Sequence, residues 1–185
     1  MTATETKTDG PRIYVASLSD YNAGRMVGAW IDVTCSHDAT LEAITAMIQT
    51  SKEPNAEEWA IHDYEGWGPL QLGAWANLET LSILAAGIIE YGPAFAAWAD
   101  NIGPDYIGAI DEFEEAFAGE WSSVVAYVEE LLEDSGIYGD LVKAVGEDMA
   151  RYCQPDLASF ARDMELGGDI YTIDTPIGGV WVFHQ

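Results

Sequence analysis

Basic residues are scarce in this chain: seven Lys and Arg stand against 32 Asp and Glu over 185 residues, a formal charge of −25. A field of that sign repels DNA, RNA and anionic membranes, which excludes them as binding partners and favours a basic surface instead. Cysteine is equally sparse. Cys35 and Cys153 are too few for a disulfide framework, and residues 1–10 are polar without the apolar core of a signal peptide, so the sequence predicts a cytoplasmic protein. Long apolar runs are missing too. The longest, 81–89, is broken by Ser82 and Gly87 and is far shorter than the roughly 20 residues that cross a bilayer.

Apolar content is not lacking. Apolar residues make up 49% of the chain, with seven Trp and nine Tyr, enough burial to offset the chain entropy that keeps many acidic sequences disordered. Residues 12–18 and 26–33 have strand-like content around a Tyr21-Asn22-Ala23-Gly24 turn and predict a hairpin. Helical spacing follows over 39–50, Pro54 stops it, and 59–64 returns to a strand. Residues 69–99 predict two or three short helices broken at Gly92-Pro93. Pro104 starts a helix expected to run to about Phe117, with further helices over 121–134, 140–152 and 155–165. Strands at 169–174 and 179–183 close the chain as a hairpin. The expectation is an α+β chain of three small units: an N-terminal α/β unit (11–65), a helical middle (66–103) and a C-terminal α+β unit with acidic helices (104–185).

The acids are not evenly offset. Residues 53–140 hold 19 carboxylates and not one Lys or Arg, so no cation within that span neutralises it. The segment 121–134 is the clearest amphipathic helix: Val124, Val125, Val128, Leu131 and Leu132 share one arc, and Glu129, Glu130, Glu133 and Asp134 take the opposite one. Those acids crowd the helix C-terminus, where the macrodipole disfavours negative charge by roughly 0.3–1 kcal/mol each. A local rule broken without compensation points to function. Duplex DNA carries one charge per ≈1.7 Å of axis, so about 25 charges match about 40 Å of duplex.

Three segments resemble the ArdA antirestriction family. The first is Ile13-Tyr14-Val15-Ala16 through Tyr21-Asn22-Ala23-Gly24 to Gly28-Ala29-Trp30-Ile31-Asp32. The second, the most specific, is Glu58-Trp59-Ala60-Ile61-His62-Asp63-Tyr64-Glu65. The third is Phe160-Ala161-Arg162-Asp163-Met164-Glu165 with the ending Val180-Trp181-Val182-Phe183. The acidic stretches Glu114-Glu115-Ala116-Phe117 to Gly119-Glu120-Trp121 and Glu129-Glu130-Leu131-Leu132 are similar as well. The resemblance implies an elongated, homodimeric DNA mimic that occupies the DNA-binding cleft of type I restriction-modification enzymes, on behalf of a mobile element entering a bacterial cell. The mimicking surface is then expected at Asp105, Asp111, Glu112, Glu115, Glu120, Glu129, Glu130, Glu133, Asp134 and Asp140. The dimer interface is expected at Tyr138, Leu141, Val142 and Val145.

Catalytic chemistry has little support. His62, Asp63 and Glu65 lack a second His-rich cluster to complete a metal site, and Asp100-Asn101 fails calcium-loop spacing because Ile102 stands where an oxygen is needed. No Gly-x-Ser-x-Gly elbow occurs, Cys35 near His37 has no recognisable context, and Gly66-x-Gly68 and Gly178-Gly179 are not phosphate loops. Neither a reaction, a cofactor nor a metal is expected. Two rival classes are a halophilic enzyme, which would weaken in low salt, and a general acidic adaptor or chaperone for basic nucleic-acid-binding proteins, which would not discriminate a restriction enzyme from other basic proteins.

Overall fold

The computed structural model describes residues 10–34 and 36–185. Residues 1–9 of the polar opening stretch, and Cys35 of the Cys35/His37 pair, lie outside the described residues. Two units divide the chain, Met1–Phe113 and Glu114–Gln185, and the expected segments 11–65 and 66–103 both fall in the first. The fold is α+β.

In the first unit, β1 (Arg12–Ser17) runs antiparallel between β2 (Gly28–Asp32) and β3 (Trp59–Glu65). The expected hairpin forms with an addition: Ser17 caps a five-residue helix, α1 (Leu18–Asn22), by accepting from the Asp20 N–H, and Gly24 turns the chain at φ 75°. Ile13, Val15 and Ile31 are buried on the sheet. Helix α2 (His37–Ile48), capped by Ser36, contacts β1 and β2 and buries Ile44 and Met47.

The break at Gly92-Pro93 separates α3 (Leu78–Tyr91) from α4 (Pro93–Ile102), with Gly92 at φ 65° and Pro93 at the first helical position. Helix α4 packs back on α3 so closely that a Cβ on Gly87 would lie 2.3 Å from the Phe95 ring. Phe95, Trp98 and Phe113 form a buried triad with ring centroids 5.3, 5.4 and 5.5 Å apart.

The single helix expected over 104–117 does not form. Pro104–Tyr106 makes one 3-10 turn, α5 covers only Asp111–Ala116, and β4 (Phe117–Trp121) begins where the helix was expected to end. Strand pairing with the C-terminus overrides local helical spacing: Phe117 pairs with Phe183, and Gly119, at φ 128°, follows a register shift.

In the second unit follow α6 (Val124–Asp134), α7 (Ile137–Val145), α8 (Glu147–Ala150), α9 (Leu157–Gly167) and the expected terminal hairpin, β5 (Ile170–Asp174) and β6 (Val180–His184). The helix expected over 140–152 begins earlier, at Ile137, and is cut by Gly146 at φ 82°. Strand order is β4-β6-β5. Tyr127, Val128, Ala161, Ile170 and Val182 form the core, where α6 and α9 meet the sheet.

Candidate acidic binding surface

Helix α6 starts where Ser123 accepts from the Ala126 N–H, and its buried residues are Tyr127 and Val128. Val124 and Leu132 pack at the edge of the same cluster. Opposite them Glu129, Glu130, Glu133 and Asp134 are exposed, as their arc requires. Two members of the apolar arc are corrected: Val125 and Leu131 are 37% and 38% exposed. Periodicity gives the angle of a side chain about the helix, not how far its neighbours extend along it, and Leu131 lies outside the cluster that covers Val128. The last turn of α6 holds no basic residue, so its carboxylates face the negative helix end uncompensated.

All ten acids expected on the surface are exposed. Their environments differ. Asp105, Asp111, Glu115, Glu129, Glu130, Glu133 and Asp134 have no ion pair among the described residues. Glu112 accepts from the Gly108 N–H at 3.2 Å, and Glu120 accepts from the Trp181 indole N–H at 3.0 Å, so both also serve the local fold. Asp140 pairs with Lys143 at 2.8 Å, one turn along α7. Asp105, Asp111 and Glu112 belong to the first unit, and the other seven to the second.

Not every carboxylate is available to a partner. Asp20 is fully buried, accepting from the hydroxyls of Ser17 and Ser51 and from the Arg25 guanidinium, which also pairs with Glu53. The Ser51 hydrogen bond, helped by Ser17 and Arg25, holds its carboxyl below the ordinary range against the opposing effect of burial. Asp156 caps α9, and its hydrogen bonds from Ser159 lower its pKa.

Residues 13–178 match the family described as antirestriction protein (ArdA). The chain belongs to the ArdA antirestriction family. That membership supports an antirestriction function, directed against restriction enzymes as a class. No curated protein matches the chain. Among the described residues, no helix is long and apolar enough to cross a membrane, and no group of three or more His, Cys, Asp or Glu has a metal-holding arrangement. His62 instead lies edge-on to Tyr21, centroids 5.1 Å apart.

Grooves lie beside acidic residues in both units of this ArdA-family chain. In the second unit α7 buries none of its residues: Ile137, Tyr138 and Val145 are exposed, and Leu141 and Val142 half-buried. With Leu132, Pro155 and Leu157, the residues Ile137, Tyr138 and Leu141 line an open apolar groove of about 480 Å³, bordered by Glu129 and Glu133. In the first unit a groove of about 610 Å³ is lined by Trp59, Trp75, Leu78, Glu57, Glu58 and Glu79. Sequence patterning missed this second groove because it assigned 69–99 to helices, whereas α3 starts only at Leu78. The signal was present in Gly73 and in Asn77, a preferred cap residue immediately before the apolar run.

Proposed function

We propose that this protein is a DNA surrogate that binds a type I restriction-modification enzyme, occupies its DNA-binding cleft and so inhibits it without catalysing any reaction. The observation that carries this is the run of 19 carboxylates over residues 53–140 without a Lys or Arg, many of them exposed and unpaired. Lys and Arg groups that normally hold phosphates meet carboxylates instead, and opposite potentials speed the encounter. Asp105, Asp111, Glu112, Glu115, Glu120, Glu129, Glu130, Glu133, Asp134 and Asp140 form the proposed contact set. A homodimer is part of the proposal, through the uncovered apolar side of α7 at Tyr138, Leu141, Val142 and Val145, which supplies the locally uncharged patch that self-association of a highly charged chain requires.

The test is restriction of unmodified DNA by a type I enzyme with and without the protein, beside a binding titration to its methyltransferase core across salt concentrations. Inhibition, steep loss of binding with salt and mutual exclusion with duplex DNA are expected. A ternary complex retaining DNA in the cleft would overturn the proposal, and equal binding to unrelated basic proteins would favour the adaptor reading. Light scattering showing only ~20 kDa particles, the size of one chain, would remove the dimer.

A further inference from the structure

We propose that the Trp75 groove of the first unit is a receptor for an arginine side chain of the partner enzyme, a contact that phosphate mimicry alone does not supply. Trp75 is 71% exposed, the most exposed Trp among the described residues. The backbone that presents it is held on both sides. Ile61 N–H donates to Ala74 carbonyl at 3.0 Å, Ala76 N–H donates to Gly73 carbonyl at 3.1 Å, and Asn77 accepts from the N–H groups of Glu79 and Thr80 as the cap of α3. A large apolar ring on an anchored segment, open to water beside a cavity of about 610 Å³, has room for an occupant and no internal partner covering it.

Charge identifies that occupant. Glu57, Glu58 and Glu79 line the groove with the two indoles of Trp59 and Trp75 and with His37, whose Nδ1 lies 3.1 Å from a carboxylate oxygen of Asp38, and none of the three glutamates is ion-paired among the described residues. Carboxylates beside an aromatic face repel nucleotides and other anions and suit a cation that is both planar and a multiple donor. Guanidinium fits better than ammonium because it stacks on indole while its N–H fork engages carboxylates, and it gives up its weaker hydration more readily. DNA-handling proteins carry such side chains toward phosphates. The identity of the partner rests on the function proposed above, but the chemistry of the groove does not.

Two measurements decide it. In the first, Trp75→Ala should weaken binding to the methyltransferase core by about two- to thirty-fold with an unchanged melting temperature, whereas Tyr106→Ala, at a still more exposed aromatic outside the groove, should not. Glu57→Gln, Glu58→Gln and Glu79→Gln combined with Trp75→Ala should cost less than the separate effects multiplied, since all serve one ligand. Unchanged binding of Trp75→Ala, with DNA-competitive binding of the unmodified protein, overturns the groove and leaves the DNA-surrogate function standing. The second uses no enzyme: an arginine-rich peptide is titrated against its lysine counterpart, following the indole N–H resonance that Trp75→Phe removes. A selective shift of that resonance by the arginine peptide supports the receptor even if the type I target is wrong. Equal shifts with both peptides overturn it.

Discussion

Replacing Glu129, Glu130, Glu133 and Asp134 together by Gln or Asn separates the charge of α6 from its role in the fold. All four side chains are exposed, and the buried face of the helix, Tyr127 and Val128, is untouched. Glu129 and Glu133 are four residues apart, as are Glu130 and Asp134, so the helix carries two like-charge pairs where a Lys would ordinarily stabilise it. Removing two such pairs is worth about 0.4–1 kcal/mol. Relieving Glu133 and Asp134 at the negative end adds about 0.6–2 kcal/mol. The variant should therefore melt higher than the unmodified protein at low salt, with the difference shrinking as salt rises. Binding should move the other way. Four exposed contacts at about 0.2–1 kcal/mol each sum to about 1–4 kcal/mol, roughly a five-fold to several-hundred-fold loss of affinity. Paired thermal melts and binding titrations at moderate salt measure both, with neutralisation of the exposed Asp38, Glu42, Asp163 and Asp174 as control. If the α6 variant binds the methyltransferase core like the unmodified protein while the control set abolishes binding, α6 is not part of the contact surface.

Val128→Ala, at a fully buried position in the second-unit core, should cost about 2–3 kcal/mol, whereas Leu131→Ala at 38% exposure should cost about 1 kcal/mol or less; chemical denaturation of both variants reads the difference, and equal losses would contradict the packing described. Gly87→Ala should destabilise the first unit by about 1–3 kcal/mol, since its Cβ would meet the Phe95 ring at 2.3 Å; a neutral result by the same method would show that α4 shifts freely. Asp20→Asn should lower the melting temperature at neutral pH and lose that deficit in acid. The Asp20 pKa is depressed in the fold, so its contribution is present above the unfolded pKa and disappears as pH falls through the folded value; melts from pH 7 downward in which the gap does not close would refute it.

Much of the element order could be read from local pattern, and several of the failures share one cause. Gly92-Pro93 and Gly24 are punctuation that acts through backbone conformation within a few residues, so their positions were legible, whereas Tyr21 and Asn22 of the expected turn belong to α1. Phe117 to Trp121 was not, because β4 exists through pairing with β6, more than fifty residues away in sequence, and fell between the helices expected to end at Phe117 and to begin at Trp121. Leu131 shows the same limit at the level of one side chain. Among the acids, exposure at Glu129, Glu130, Glu133 and Asp134 followed from helical phase, but the burial of Asp20 did not: a carboxylate next to a turn looks solvated until Ser51 and Arg25 fold onto it. The Trp75 groove joins three segments separated in sequence, around His37, Glu58 and Asn77, and no single-segment pattern reports such a meeting.

The placement of the few cations gives the charge gap its physical meaning. Arg12 pairs with Glu65, Arg25 with Asp20 and Glu53, Lys143 with Asp140 and Arg151 with Asp148, so four of the six basic residues among the described ones are already engaged. Of the carboxylates in 53–140, these pairs account for Glu53, Glu65 and Asp140. On α6 the positions four residues after Glu129 and Glu130, where a Lys would form the usual stabilising pair, are Glu133 and Asp134 instead. The fold therefore carries local electrostatic costs that a single Lys would relieve, and it offsets them with buried clusters rather than with counter-charges. A chain selected for stability alone has no reason to keep acids in the last turn of a helix, whereas one whose carboxylates must remain free to meet another molecule's Lys and Arg cannot neutralise them internally without losing the contact.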